Sequence, residues 1–224
     1  MDTNFVNIYK LIESKPQNAA IFTEKDFEVY RAVKNKILQT IAIHFGVSPK
    51  HLYLTDPTFF SRLTSAAAQT KHDEYWHKHV DKQTYKSFHY TSLLYLTTFG
   101  SDFTGGRFIF ADKELNKSIA IEPKLGRVSA FTSGSENEHF VERVSTGTRY
   151  AITVSFTCDP KHAISDPKMG HKFSRRAQRT STSWSGCPPE PDMPLLSHSL
   201  AIQSTPSVTL RWVTNSDFIH SVIN

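Results

Sequence analysis

The run His72-Asp73-Glu74-Tyr75-Trp76-His77-Lys78-His79-Val80-Asp81 gathers imidazoles and carboxylates within ten residues of a 224-residue chain. His79 and Asp81 are two apart. On a strand, positions i and i+2 project from one face, so this imidazole and carboxylate can converge on one cation. A third donor from another strand would complete a facial set of two His and one carboxylate. Such a set leaves three coordination positions open, which suits a ferrous ion that must take up a cosubstrate and oxygen. Taken alone, the pair is a weak signal and reads more readily as a solvated surface pair. His77 has the same parity as His79 and is the rival donor, although a His77–His79 pair would leave Asp81 unused.

His139 stands 58 residues beyond Asp81, at the head of a predicted strand, and Arg149 stands ten residues further, at the head of the next. The intervening Val144-Ser145-Thr146-Gly147-Thr148 is expected to close a hairpin that sets Arg149 near His139 in one pocket. A guanidinium there can hold a carboxylate through two parallel hydrogen bonds. The alternative is an Arg at a strand edge paired to Glu142 or Glu136.

Three zones would position these residues. Residues 1–60 read as mostly helical: Phe27, Tyr30, Val33, Ile37, Leu38, Ile41 and Phe45 recur at three- and four-residue intervals. Thr23 with Asp26 forms a capping-box pattern, and Gly46 sits where a helix should end. A weaker helix uses Phe5, Ile8, Tyr9 and Ile12. From about 75 to 158 the period changes to short β-rich runs: Ser87–Thr97, Arg107–Ala111, Lys117–Ile121, Arg127–Thr132, His139–Val144 and Arg149–Thr157. Gly100, Gly105-Gly106, Pro123 with Gly126, Ser133-Gly134 and Gly147 punctuate them. Such strands predict a mainly β sandwich or barrel with the helices on one face. Residues 159–224 hold seven of the eleven prolines and much Ser and Thr, and read as a mainly disordered tail.

Several blocks occur in order: Tyr75-Trp76-His77-Lys78-His79-Val80-Asp81, Leu94-Tyr95-Leu96-Thr97, Phe103-Thr104-Gly105-Gly106-Arg107, Ile121-Glu122-Pro123-Lys124, and His139 followed by Gly147-Thr148-Arg149-Tyr150-Ala151-Ile152-Thr153-Val154. Together they resemble the prolyl 4-hydroxylase type of iron(II)- and 2-oxoglutarate-dependent dioxygenase. The resemblance covers about 70–158 well, the helical zone loosely and the tail not at all. It implies a double-stranded β-helix (jelly roll) core over 61–158, supported by helices over 1–60. It implies that His79, Asp81 and His139 bind Fe(II) and that Arg149 binds the distal carboxylate of 2-oxoglutarate, with Tyr95, and Thr91 of the same strand parity, facing the cosubstrate. A protein or peptide side chain would be hydroxylated with release of succinate and carbon dioxide, and ascorbate would keep the iron reduced. Relatives of this type often carry Trp where this chain has Ser155, so prolyl specificity does not follow from the resemblance.

The rival functional reading is a catalytically silent jelly-roll binding module that keeps the metal motif. A cupin-type site built on His77-Lys78-His79 would need a nearby Glu, and positions 82–85 read Lys82-Gln83-Thr84-Tyr85. A net charge of +5 is too small and too dispersed for a nucleic-acid footprint, so no nucleic acid is expected as partner. The basic run Lys172, Arg175, Arg176 and Arg179 reads as solvated tail or as a docking signal. Cys158 and Cys187, the only two cysteines, are expected to be free. Asn116-Lys117-Ser118 is a glycosylation sequon, used only on a secretory route. No apolar run reaches the roughly 18 residues of a membrane span, so the chain as written reads as soluble. The resemblance extends to a single-pass membrane form whose anchor precedes the catalytic domain, so membrane association is the expectation for that longer form.

Overall fold

The computed structural model describes residues 5–14, 22–112, 117–167 and 199–202. The strands are β1 (Phe5–Asn7), β2 (Tyr53–Leu54), β3 (Phe59–Thr64), β4 (Tyr90–Tyr95), β5 (Phe103–Gly105), β6 (Phe108–Asp112), β7 (Lys117–Ile121), β8 (Val128–Thr132), β9 (His139–Val141), β10 (Val144–Thr157) and β11 (Ser199–Ile202). The helices are α1 (Ile8–Ser14), α2 (Glu24–His44) and the single turn α3 (Asp81–Thr84). A major antiparallel sheet runs β1-β3-β10-β4-β8-β11, with β2 and β5 attached to β10, and it faces a minor sheet ordered β7-β6-β9. Two facing antiparallel sheets of this kind are the jelly roll that the strand pattern and the resemblance predict.

Strand β10 shows how the layers are divided. Ile152, Val154 and Phe156 point into one core with Phe60, Tyr90, Leu94 and the helix residues Phe27, Tyr30, Ile37 and Ile41. The odd-numbered Ala151 points the other way, into a core of Leu93, Tyr95, Phe108, Phe110 and Phe131 between the sheets. Strict alternation therefore puts the helices against the outer face of the major sheet and leaves the inner face for the site.

Helix α2 begins and ends as its sequence dictates. The Thr23 side chain accepts from the Asp26 N–H while the Asp26 carboxylate accepts from the Thr23 N–H, a reciprocal cap of about 0.5–2 kcal/mol. At the other end Gly46, at φ +65°, lets the Val47 N–H reach the Ala42 carbonyl. The buried stripe also contains Lys34, whose ammonium pairs with Asp166 at 3.0 Å. Arg31 donates to the Pro167 carbonyl on the same helix face.

The helical reading of 1–60 is incomplete, because β1, β2 and the first two residues of β3 fall there and Phe5 belongs to β1 rather than to α1. These short strands lie at or near the edge of the major sheet, and three-residue segments carry too little periodicity to be read as strands. In the zone read as tail, residues through 167 pack back on the domain: Ala163 bridges Thr55, and Ile164 N–H donates to Leu54. Ser199–Ile202 adds an antiparallel strand beside β8. Cys158 is disulfide-bonded, which corrects the expectation that the cysteines are free. Cys187, the sequon at Asn116 and the basic run Lys172, Arg175, Arg176 and Arg179 lie outside the described residues. No helix of the described residues is long and apolar enough to cross a membrane.

Candidate metal and cosubstrate site

His79 and His139 are joined by their backbones. The His79 N–H donates to the His139 carbonyl at 2.9 Å and the His139 N–H donates back at 3.0 Å, an isolated antiparallel bridge. Their rings consequently lie 4.4 Å apart, centroid to centroid. This bridge, not a shared strand, brings the donors together. Asp81 opens the turn α3 instead of continuing an extended segment, so the i, i+2 strand argument is replaced by a bridge followed by a helical turn.

Each imidazole is held from behind. His79 Nδ1 meets the His77 carbonyl at 2.9 Å, and His139 Nδ1 meets the Asn137 carbonyl at 2.8 Å. A carbonyl only accepts, so both Nδ1 atoms carry a proton, and it is Nε2 that presents a lone pair when each ring is neutral. Those two Nε2 atoms each lie 3.6 Å from Asp81 Oδ1. One donor atom from each of the three residues falls within 4.8 Å of the others, the only such group among the described residues. Two imidazoles and one carboxylate so spaced fit a single first-row ion with open positions.

The protein environment reinforces that chemistry. His139 is 3% exposed and sits among Phe108, Phe110 and Phe131, whose ring centroids are 4.9, 6.2 and 5.0 Å away. Burial pushes its pKa down, outweighing the nearby Asp81 carboxylate, and so keeps the ring neutral as a ligand requires. The His79 side chain is 42% exposed and forms the open side. His77 takes no part: its Nε2 contacts Glu74 at 2.6 Å on the surface.

Arg149 is among the largest fully buried side chains, yet its Nε and Nη2 have no hydrogen-bond partner among the described residues. Burial lowers its pKa, with Tyr95 and Tyr75 acting in the opposite direction. The surface alternative is excluded, because Glu142 is held by Arg107 and Glu136 by Thr132. The predicted hairpin is also absent. Val144–Thr148 already belongs to β10, where Val144, Thr146 and Gly147 pair with β5 and Thr148 pairs with Thr64 of β3, while β9 pairs with β6 in the other sheet. Arg149 thus looks from the major sheet into the interior that His139 enters from the minor sheet. Gly105 and Gly106 make the tight turn between β5 and β6, as expected, and a Cβ on Gly106 would lie 3.2 Å from Arg149 Cδ.

Tyr95 is buried beneath this guanidinium, with its hydroxyl 3.0 Å from Ser129 Oγ. Thr91 has the inward parity expected of it, but its hydroxyl donates to Asp81 Oδ2 at 2.7 Å and lies 2.9 Å from Ser133 Oγ. Ser155 stands opposite Thr91 in the β10–β4 register, fully buried, with no partner for its hydroxyl among the described residues. Reading the sequence missed Ser129 and Ser133. Ser133 was visible only as half of a Ser-Gly turn signal, and Ser129 as one polar residue at the inward parity of β8. A cleft of about 370 Å³ opens beside Tyr75, lined also by Thr64, Glu74, Trp76, Arg143 and Val144. Arg143 stacks on Trp76 there, 3.7 Å from the ring centroid.

The chain is 58% identical over 166 residues to the mouse protein "2-oxoglutarate and iron-dependent oxygenase domain-containing protein 3", covering 74% of this chain and 51% of that protein. It is 43% identical over 75 residues to prolyl 3-hydroxylase 1 of Gallus gallus, covering 33% of this chain and 10% of that protein. A solved prolyl hydroxylase from Trichoplax adhaerens, in complex with a hypoxia inducible factor peptide, aligns with 24% identity and a TM-score of 0.36 over 47% of this chain and 46% of its own. The chain spans about half the length of the mouse relative. Residues 65–157, which hold both imidazoles, the carboxylate and Arg149, match the 2OG-Fe(II) oxygenase superfamily.

Proposed function

We propose that this chain is an iron(II)- and 2-oxoglutarate-dependent dioxygenase that hydroxylates a side chain of a protein or peptide. The observation that carries the reading is the convergence of His79 Nε2, His139 Nε2 and Asp81 Oδ1, in an interior that also buries the guanidinium of Arg149, whose Nε and Nη2 have no partner among the described residues.

When bound, ferrous ion with 2-oxoglutarate supplies the oxidative chemistry, in which oxygen is consumed and succinate and carbon dioxide are formed. The chain's own residues bind and orient. Arg149 offers Nε and Nη2 to the distal carboxylate of the cosubstrate, replacing the water it gives up on burial. Tyr95 sets the floor beneath that arginine. The phenylalanines around His139 exclude water from one side, so the cosubstrate and the target side chain must approach from the His79 side. Ascorbate belongs to the same proposal, as the reductant that preserves the ferrous state.

Support for a polypeptide substrate comes from the similarity to prolyl 3-hydroxylase 1 and from the cleft floored by Tyr75 and walled by the Trp76–Arg143 stack. Val144, which lines the cleft, and Arg149 Cδ lie 3.0 and 3.2 Å from the Cβ position of Gly106, so the cleft borders the interior that holds Arg149. A membrane anchor in a longer form of the protein rests on the resemblance alone.

The test combines metal analysis of the purified chain with release of labelled carbon dioxide from 2-oxoglutarate across a peptide panel. Iron-dependent release by the wild type and none by His139→Ala is expected. Full turnover by His139→Ala overturns the ligand set, and no turnover by iron-loaded wild type on any peptide favours the silent binding module.

A further inference from the structure

Asp81 has two carboxylate oxygens, and the structure treats them differently. Oδ1 is 3.6 Å from both imidazole Nε2 atoms, whereas Oδ2 accepts from the Thr91 hydroxyl at 2.7 Å. Thr91 has a single hydroxyl proton. Once that proton points at Asp81, the contact between Thr91 Oγ1 and Ser133 Oγ at 2.9 Å can be made only by the Ser133 proton. The result is a directed chain in which Ser133 donates to Thr91 and Thr91 donates to Asp81. Thr91 is 2% exposed and Ser133 1%, so water does not compete for these bonds.

We propose that Thr91, backed by Ser133, is a positioning residue that holds Asp81 as a one-oxygen ligand. The inference rests on the proposed metal centre and goes beyond it. A carboxylate free to turn can bind an ion through both oxygens. Doing so would take one of the three positions that a cosubstrate and oxygen require. With Oδ2 occupied by a hydroxyl donor, only Oδ1 remains for the ion. The backbone fixes both groups: Lys82 N–H donates to the Ser133 carbonyl, tying the turn that carries Asp81 to the end of β8, and Thr91 lies opposite Phe131 on that strand. The same proton accounting leaves Thr91 no donor for 2-oxoglutarate, so it serves the carboxylate ligand instead of the cosubstrate.

The experiment titrates the apo full-length chain with Co(II) alone and records both the dissociation constant and the visible absorption of the bound ion. Thr91→Val is expected to weaken Co(II) binding about 10- to 100-fold, the usual effect of losing an outer-shell partner. It should also lower the visible absorption as the coordination number rises. Thr91→Ser restores the donor and should return both readouts to wild type, which a purely structural role of the threonine methyl would not predict. Ser133→Ala, which keeps Thr91 in place, should weaken Co(II) binding to a smaller degree, and it carries the test if Thr91→Val does not fold. Wild-type affinity and spectrum in both Thr91→Val and Ser133→Ala overturn the proposal. So does a Thr91→Val protein that binds Co(II) normally but loses 2-oxoglutarate affinity. If Asp81→Ala and His139→Ala also bind Co(II) like the wild type, the metal centre itself fails, an outcome distinct from failure of the positioning role alone.

Discussion

The Arg149 guanidinium lies over the ring of Tyr95, 5.4 Å from its centroid, with both side chains buried between the two sheets. The aromatic face gives the cation a partial partner, but among the described residues Nε and Nη2 are left without acceptors. In the ligand-free protein this arrangement is costly, because a buried donor without a partner forfeits its hydration. The cost is recovered when a carboxylate arrives.

It follows that Arg149 trades stability for binding. Arg149→Met, similar in length and uncharged, should raise the unfolding free energy of the ligand-free chain by about 1–3 kcal/mol. It should also abolish the stabilisation that 2-oxoglutarate gives the metal-loaded protein. Denaturant unfolding with and without 2-oxoglutarate measures both, and a variant less stable than wild type that still responds to 2-oxoglutarate contradicts the assignment.

Gly106 and Gly46 offer a matched comparison, since both have φ +65°. Alanine at either position carries the strain of left-handed backbone, about 1–3 kcal/mol. At Gly46 the added methyl meets nothing within 4 Å, whereas at Gly106 it meets Val144, Phe103 and Arg149 Cδ at 3.0–3.2 Å. Gly106→Ala should therefore lose more stability than Gly46→Ala in thermal unfolding. It alone should raise the concentration of 2-oxoglutarate needed for turnover.

Burial lowers the pKa of His89 below its ordinary 6.5, and Lys82 acts in the same direction. Its Nδ1 accepts from the Cys158 N–H, a bond that only the ring unprotonated at Nδ1 can make. Below pH 6.5 the unfolded chain takes up the proton first, so the contribution of His89 is complete above that pH and is lost as pH falls through the folded value. Unfolding temperatures from pH 7.5 down to pH 5 should decline less steeply for His89→Gln than for wild type. Parallel slopes would contradict this.

Lys34 and Asp166 connect helix α2 to the chain leaving β10. Lys34 is nearly buried and Asp166 about a quarter exposed, so Asp166→Ala strands a cation at the cost of roughly 2–4 kcal/mol. Lys34→Met in the same background should recover most of that loss in denaturant unfolding. If the double variant is as unstable as Asp166→Ala, the loss lies in backbone packing around 166.

The sequence carries the inner strands well because their alternation and turn residues state the same period: Lys117–Ile121 is a strand with the predicted bounds, and β4, β6 and β8 lie within two or three residues of theirs. The capping box of α2 and its closing glycine were legible for the same reason, being local hydrogen-bond chemistry. Non-local features were not. The bridge between His79 and His139 joins segments 60 residues apart and leaves no periodic trace. The crossing of β10 from β5 to β4 likewise looked like a hairpin, because Gly147 with its polar neighbours is also a turn signal. Lys34 in a buried helix stripe was unreadable without Asp166, its distant partner. Ser129 and Ser133 gain meaning only from what the fold sets beside them.

The two imidazoles differ in access: that of His139 is walled in by phenylalanine, and that of His79 stands in the doorway. Traffic to the three donor atoms therefore runs through one portal. A chelator stripping the site, an ion loading it and a target side chain reaching it all compete for the passage beside residue 79. A tightly docked polypeptide would slow demetallation simply by standing in the way.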